Sequence, residues 1–532
     1  MKYFNFKKIN LITLLILSFM ILNCQKKKVQ QNLEFLGDSK SNTYNFTPIK
    51  SYKDFELIRQ NPTGSFILTS DIVFPKDHEF EPIPIFSGIL DGGVHLEGEE
   101  EFVIYNLNIN LPNQDNIGLF GQLQNAEIRN LNIGYAKVTG GNMVGVIAGQ
   151  IQTSKIINSM VYESKIYGKN NVGGMVGLDD NSLFKNITWG GNQIHGDTYI
   201  GGLIGSAMKS TIFEGNTENT DHVFGLNYVG GIVGFSKGIM IDKVSQYIGE
   251  IHGNKYVGGL IGRAENSEIT NSNLYVEEIY GTEKIGGFFG SLDNSRVIRL
   301  KNYNISENIT ATIELGGIVG EVTNSYLSNI TIDIPDLEAQ HYVGGVAGYA
   351  QNTEFVKIKV NSGTLKGQVN VGGLIGLMID GTMHLSSANV QVKAKTPQSR
   401  NIGGLIGNLT GNNAIIEDSY ATGSVTGTNY TGGLIGHQVM GKVNKTYSTG
   451  IVTGTQNTTA ALIGYRDNGS LINSYSAVGS YTLLENRSSS APLTNHVKFL
   501  TEAEAKQQSS FNTWNFFSHW YFKGNEAWPK LY

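Results

Sequence analysis

The sequence predicts an all-β chain wound as a right-handed parallel β-helix of about 13 coils, with a small cap at each end. Three observations carry the prediction. A glycine-aliphatic cassette, typified by Val172-Gly173-Gly174-Met175-Val176-Gly177, closes at Gly121, Gly149, Gly177, Gly205, Gly234, Gly262, Gly290, Gly320, Gly348, Gly376, Gly407, Gly436 and Gly464, at intervals of 28 to 31 residues. A fixed period of this size means a repeat architecture, in which each unit buries its apolar face only against its neighbours. Seven residues after the closing glycine stands a large apolar side chain, as in Ile128, Ile156, Phe184, Ile212 and Ile241, with Ala414 the exception. Such a column requires the same position to face the core in every turn. Composition agrees: 66 Gly, only 10 Pro, and runs of Ile, Val, Thr and Tyr between Asn, Gly and Ser favour many short strands. The right-handed winding is what parallel crossovers prefer.

Residues 1–23 have the layout of a secretory leader: Lys2, Lys7 and Lys8, an apolar run from Ile9 to Leu22, then Asn23-Cys24. The run is too short to span a bilayer. Cys24 is the single cysteine, so no intrachain disulfide can form and stability must come from core burial. Its position resembles a bacterial lipobox, which implies lipidation of Cys24 and a membrane partner for the mature chain. Residues 24–45, with Lys26, Lys27 and Lys28, read as a flexible tether near lipid headgroups. Loss of Lys2, Lys7 and Lys8 with the leader takes the formal charge from −5 to −8, and no basic stripe is left to follow a phosphate backbone. Nucleic acid is excluded as a partner.

Residues 46–112 read as the N-terminal cap. Tyr52-Lys53-Asp54-Phe55-Glu56-Leu57-Ile58 has helical apolar spacing and stops before Asn61-Pro62, and strand-like stretches around Phe66 and Ile85 follow. Across the array, 113–480, each unit divides into a cassette strand, a strand around the apolar seventh position, and a third ending in a pattern such as Ile166-Tyr167-Gly168. At the ninth position Asn130, Asn158, Asn186, Asn271, Asn329 and Asn473 recur, as expected of a stacked amide ladder. Residues 481–532 read as the C-terminal cap, in which Thr501-Glu502-Ala503-Glu504 starts a capped helix. Trp514, Phe516, Phe517, Trp520, Tyr521, Phe522 and Trp528 are expected to plug the last coil.

The candidate binding surface lies in the middle coils. Ten residues before the closing glycine, consecutive coils supply Tyr167, His195, Phe224, His252 and Tyr280, each after an inward aliphatic residue, so that alternation sends the ring outward. Six residues before it, Tyr199, Tyr228 and Tyr256 form a second column; together the two would make one exposed aromatic stripe. Two readings stand. Rings in an exposed patch anchor protein partners or sugar rings; stacked rings also simply support the ladder. His195 and His252 are not read as a metal pair, because two coils put them about 9.6 Å apart with Phe224 between. Asp179-Asp180, the best acidic pair of the array, reads as a turn.

The cassette resembles the GLUG motif of bacterial surface proteins, including adhesin-like chains and accessory regions of some immunoglobulin A metallopeptidases. The resemblance runs from about Asn116 to Gly479 and extends to the segments Phe66–Ile72 and Leu90–Gly93 before the array and Trp528-Pro529-Lys530-Leu531 after it. It implies an exported, lipid-anchored envelope or surface protein, a non-enzymatic scaffold with no cofactor and a host, matrix or glycan ligand. The zinc helix of the metallopeptidase members, His-Glu-x-x-His, does not occur: His78-Glu79 is followed by Pro82 where the second histidine belongs. Two alternatives remain, a carbohydrate-active β-helix enzyme and an envelope spacer without a ligand. No insertion in the array exceeds three residues beyond the common interval, which leaves little chain to build a cleft for the enzyme.

Overall fold

The computed structural model describes residues 45–93, 101–217, 221–455, 458–511 and 513–532, and for 301–308 the backbone alone. Contacts divide the chain into Met1–Phe46 and Thr47–Tyr532. Cys24, the leader and the tether up to residue 44 lie outside the described residues, so the architecture is that of the second unit.

Thr47–Tyr532 is a parallel β-solenoid. Equivalent residues one repeat apart are direct partners: Val172 pairs with Ile200, Ile200 with Val229, and Val229 with Val257. Successive turns build three large sheets of 34, 15 and 11 strands. The 15-stranded sheet takes one strand from each cassette and adds a rung at either end, Ile83–Phe86 and Glu485–Arg487, which carry no glycine motif. The seventh-position column faces the interior as expected: Ile128, Ile156, Phe184, Ile212 and Ile241 pair in sequence and are fully buried.

The cassette is a corner, not a strand. In the coil closed by Gly177, Asn170–Gly173 lies in the 11-stranded sheet and Val176–Asp180 in the 15-stranded sheet, with Gly174-Met175 turning between them. A Cβ on Gly173 would overlap the Val176 carbonyl oxygen, and one on Gly174 the carbonyl oxygen of Gly202 in the next coil. Gly177 likewise lies on the Val144 backbone of the coil before. Close approach of backbone to backbone at this corner is what the motif encodes.

Two further columns hold the turns. Asn130, Asn158 and Asn186 have φ of 53°, 48° and 52°, the left-handed region that asparagine tolerates best after glycine. Their amides form the expected ladder, Asn158 Nδ2 donating to Asn130 Oδ1 at 3.3 Å and Asn186 Nδ2 to Asn158 Oδ1 at 3.0 Å. Five residues after the closing glycine, buried serines make a spine that the sequence reading missed. Ala126 N–H donates to Ser154 Oγ, Ser154 N–H to Ser182 Oγ and Ser182 N–H to Ser210 Oγ at 3.1 to 3.3 Å. Each serine thus satisfies a turn N–H that would otherwise be buried without an acceptor.

At the N-terminal side Tyr52–Asp54 is a 3₁₀ turn leading into a helix, Phe55–Gln60, with Phe55 and Ile58 buried. At the C-terminal side Thr501 caps the helix Glu502–Ala505 through the reciprocal box read from its sequence. The aromatic residues of the tail do not plug the end. Phe511, Trp514 and Trp520, with Phe516, Phe522 and Trp528 packed against them, lie along the outward side of the 34-stranded sheet over Tyr420, Tyr447 and Tyr475 and form with them a cluster separate from the main core, whereas Phe517 is 96% exposed. Those tyrosines alternate with inward residues such as Ala421, so without the tail three large rings would stand in water.

Candidate functional site

Both aromatic columns exist. In the first, ring centroids are 5.1 Å apart for Tyr167–His195, 4.8 Å for His195–Phe224, 5.0 Å for Phe224–His252 and 4.6 Å for His252–Tyr280. In the second, Tyr199–Tyr228 and Tyr228–Tyr256 are 5.0 and 4.7 Å apart. All eight side chains are half-buried. They do not share a sheet: the first column rides on the 34-stranded sheet and the second on the 11-stranded one, on either side of the turn that contains Gly196-Asp197.

The second column instead meets residues just after the closing glycine. Phe235 lies 5.6 Å from Tyr199 and 6.1 Å from Tyr228, and the Arg263 guanidinium sits 5.4 Å from the Tyr256 ring, which Lys255 and Lys284 also approach. Lys284 Nζ is in turn 2.7 Å from Glu321 Oε1. The same corner recurs near the end of the array, where Tyr430, His437 and Tyr465 pack together and His437 Nε2 lies 3.0 Å from Asp467 Oδ2. Phe235, Arg263, His437 and Tyr465 were not singled out from the sequence; the signal was available, since all stand one residue after a closing glycine.

Ring geometry decides what the columns can offer. Tyr228 and Tyr256 are parallel within 6°, Tyr167 and His195 within 13°, His195 and Phe224 within 14°. Rings stacked this way cover one another's faces and present edges, phenolic hydroxyls and imidazole nitrogens outward. Burial raises the Tyr228 phenol and lowers the His195 imidazole from their usual values, so both favour the uncharged form. Tyr199, Tyr228 and Tyr256 have φ of 62°, 55° and 59°, but so do Asn171, Lys284 and Asn370 at the equivalent place, with 54°, 60° and 58°. The left-handed backbone here belongs to the fold and is no mark of a site.

Asp179 and Asp180, expected in a turn, end the strand Val176–Asp180. Asp179 points inward, wholly buried, and the absence of solvent pushes its carboxyl up to about 7. The Ser182 and Ser210 hydroxyls oppose that shift, but neither makes a full hydrogen bond to it.

The family model of the GLUG motif matches residues 253–274 and 398–426, each containing one of the cassettes. The chain therefore carries the GLUG motif in repeated form. A stretch of 119 residues, 19% of this chain, is 35% identical to Halomucin of Haloquadratum walsbyi (strain DSM 16790 / HBSQ001) and spans 1% of it. A crystal structure named as a candidate immunoglobulin A1 protease from Bacteroides ovatus shares 12% identity, covering 91% of this chain and 92% of that one, with a TM-score of 0.21. At that level of likeness it says nothing of activity here.

Proposed function

We propose that this GLUG-repeat chain is an exported, non-enzymatic scaffold of the cell envelope, anchored through lipidated Cys24, whose rod presents repeated side-chain columns to a host, matrix or glycan partner. The observation that carries the reading is the regularity of the outward surface: the same ring position recurs every 4.6 to 5.1 Å along five coils. A repeating row of ring edges and hydroxyls suits a long partner lying along the rod, because each rung adds a similar weak contact and the contacts sum. The GLUG motif and the partial match to Halomucin are consistent with such a surface role.

Two measurements test it. Protease added to intact cells should shave the array, and an array that stays intact until the cells are opened removes the surface role. Binding of the chain to matrix proteins and envelope glycans should weaken in a Tyr199→Ala, Tyr228→Ala, Tyr256→Ala triple variant that still melts cooperatively. Unchanged affinity would strike the second column from the binding surface, and new reducing or unsaturated ends in a polysaccharide panel would favour the enzyme instead.

A further inference from the structure

His222, Glu250 and His252 stand together on the outward side of the 34-stranded sheet, and a bulge brings them there. His222 pairs with Glu250 and Phe224 with His252, because the register steps from Ile248 to Glu250 past one extra residue, Gly249. Bulges re-aim side chains in this way. A Cβ on Gly249 would come 3.1 Å from His222 Cε1 and 3.4 Å from its Nδ1, so the glycine leaves room for the ring.

Glu250 Oε2 lies 3.9 Å from His222 Nδ1 and 3.5 Å from His252 Nε2. Both separations are longer than a charged hydrogen bond of about 2.8 Å. They are close to the edge of about 3.4 Å between two ligands of a tetrahedral zinc ion bound at about 2.1 Å. His252 Nε2 is shielded from solvent and has no hydrogen-bond partner. Its ring also leaves the stack: Tyr167, His195 and Phe224 are parallel within 14°, whereas His252 is tilted 50° from Phe224 and 47° from Tyr280. On the next rung Glu278 pairs with Glu250 and adds a second carboxylate to the neighbourhood.

We propose that His222, Glu250 and His252 form a surface site for a divalent transition-metal ion of the zinc type, with the fourth position left to a group from outside the chain. Among the described residues no group of three or more His, Cys, Asp or Glu side chains is placed to hold a metal ion as it stands, so this site forms only when its side chains turn inward on the ion. His222 and Glu250 are 36% and 41% exposed and free to rotate toward an ion, while His252 is held between two rings. The histidine pair considered from sequence, His195 and His252, is not part of this arrangement as a pair: His195 stays flat in its stack.

The test is calorimetric titration of the metal-stripped full chain with ZnCl₂, with Co²⁺ absorption as a second readout of geometry. Wild type should take up one ion at this site and give tetrahedral cobalt bands. Glu250→Gln and His252→Ala should each weaken binding by roughly tenfold or more, and His384→Ala, at the end of a strand in a distant coil, should leave it unchanged, with thermal melting confirming that all three fold. A His222→Ala, His252→Ala double variant that binds Zn²⁺ as wild type does, or a wild-type chain with no saturable uptake, overturns the proposal.

Discussion

The last coils and the middle coils carry the same device, an outward tyrosine ladder, and treat it in opposite ways. Tyr420 and Tyr447 stack at 4.6 Å and 4°, and Tyr228 and Tyr256 at 4.7 Å and 6°. At the C-terminal end the tail covers the ladder: Tyr447 is fully buried, its hydroxyl donates to the Pro529 carbonyl at 2.8 Å, and Trp514, Trp520 and Trp528 surround it. In the middle the rings stay half-exposed beside cations. The interiors differ too. Arg466 is buried but meets Glu485 through two bonds of 2.7 and 3.0 Å, whereas Asp179 and Asp221 are buried with no opposing charge. Stacking alone therefore does not make a ladder structural; covering does, and the middle coils have kept their surface open and their interior less well compensated.

The sharpest break of that contrast is Trp520→Ala. Its indole is fully buried, donates from Nε1 to Asp418 Oδ1 at 2.8 Å and packs 4.3 Å from Trp514. Losing a buried tryptophan costs about 3–5 kcal/mol, and nearest-neighbour coupling in a solenoid should confine the loss to the last coils. Hydrogen exchange should speed up over the strands Ile415–Ala421 and Lys442–Ser448 and not over Val176–Asp180. Uniform loss across the rod would mean that the tail holds the whole stack and not its own region.

Asp179→Asn probes the other side of the comparison. The folded carboxyl titrates near 7 and an unfolded one near 3.8, so between those values the folded chain binds the extra proton. Stability should then fall as pH rises from about 4 to 7 and level off above. Three units at about 1.4 kcal/mol each put the effect on the order of 4 kcal/mol at most. The variant should melt higher than wild type at pH 7.5 and show a shallower slope of melting temperature through that window. Equal slopes would mean that water or a rearranged serine already compensates the charge.

Much of this was legible in the sequence because a solenoid repeats its constraints. The period of the closing glycines placed Ile156 over Ile128, and the asparagine column announced its own ladder. What stayed hidden was of three kinds. The cassette's apolar pair looked like a strand, since nothing local says that Gly173 and Gly174 are excluded a side chain by carbonyls of their own and the next turn. Asp179 looked like a turn residue because its inward face depends on where the strand begins. The tail's destination could not be read at all: Trp520 reaches Asp418 across 102 positions and Tyr447 reaches Pro529 across 82. The two ring columns were found residue by residue, yet their separate sheets, and the bulge at Gly249, depend on pairing register.

Ser182→Ala ranks next. The Ser154 N–H donates to Ser182 Oγ at 3.2 Å inside the stack, where both serines are buried. An unsatisfied buried donor costs about 1–3 kcal/mol. The loss should appear as faster exchange of the Ser154 amide, while Ser490→Ala, in the exposed segment between the strands Glu485–Arg487 and Lys498–Leu500, should leave melting unchanged.

The smallest effect expected is that of Tyr228→Ala, and it bears most directly on function. A half-exposed ring between two neighbours contributes about 0.2–1 kcal/mol per pair, against the several expected from Trp520. If the open ladder were structural in the way the covered one is, the two substitutions would cost similar amounts. If it is kept for a partner, Tyr228→Ala should barely move the melting temperature and yet weaken attachment, because the lost ring edge lies in the middle of the row. A melting shift as large as that of Trp520→Ala would return Tyr199, Tyr228 and Tyr256 to the scaffold and leave the first column, with His222 and Glu250 beside it, as the surface to pursue.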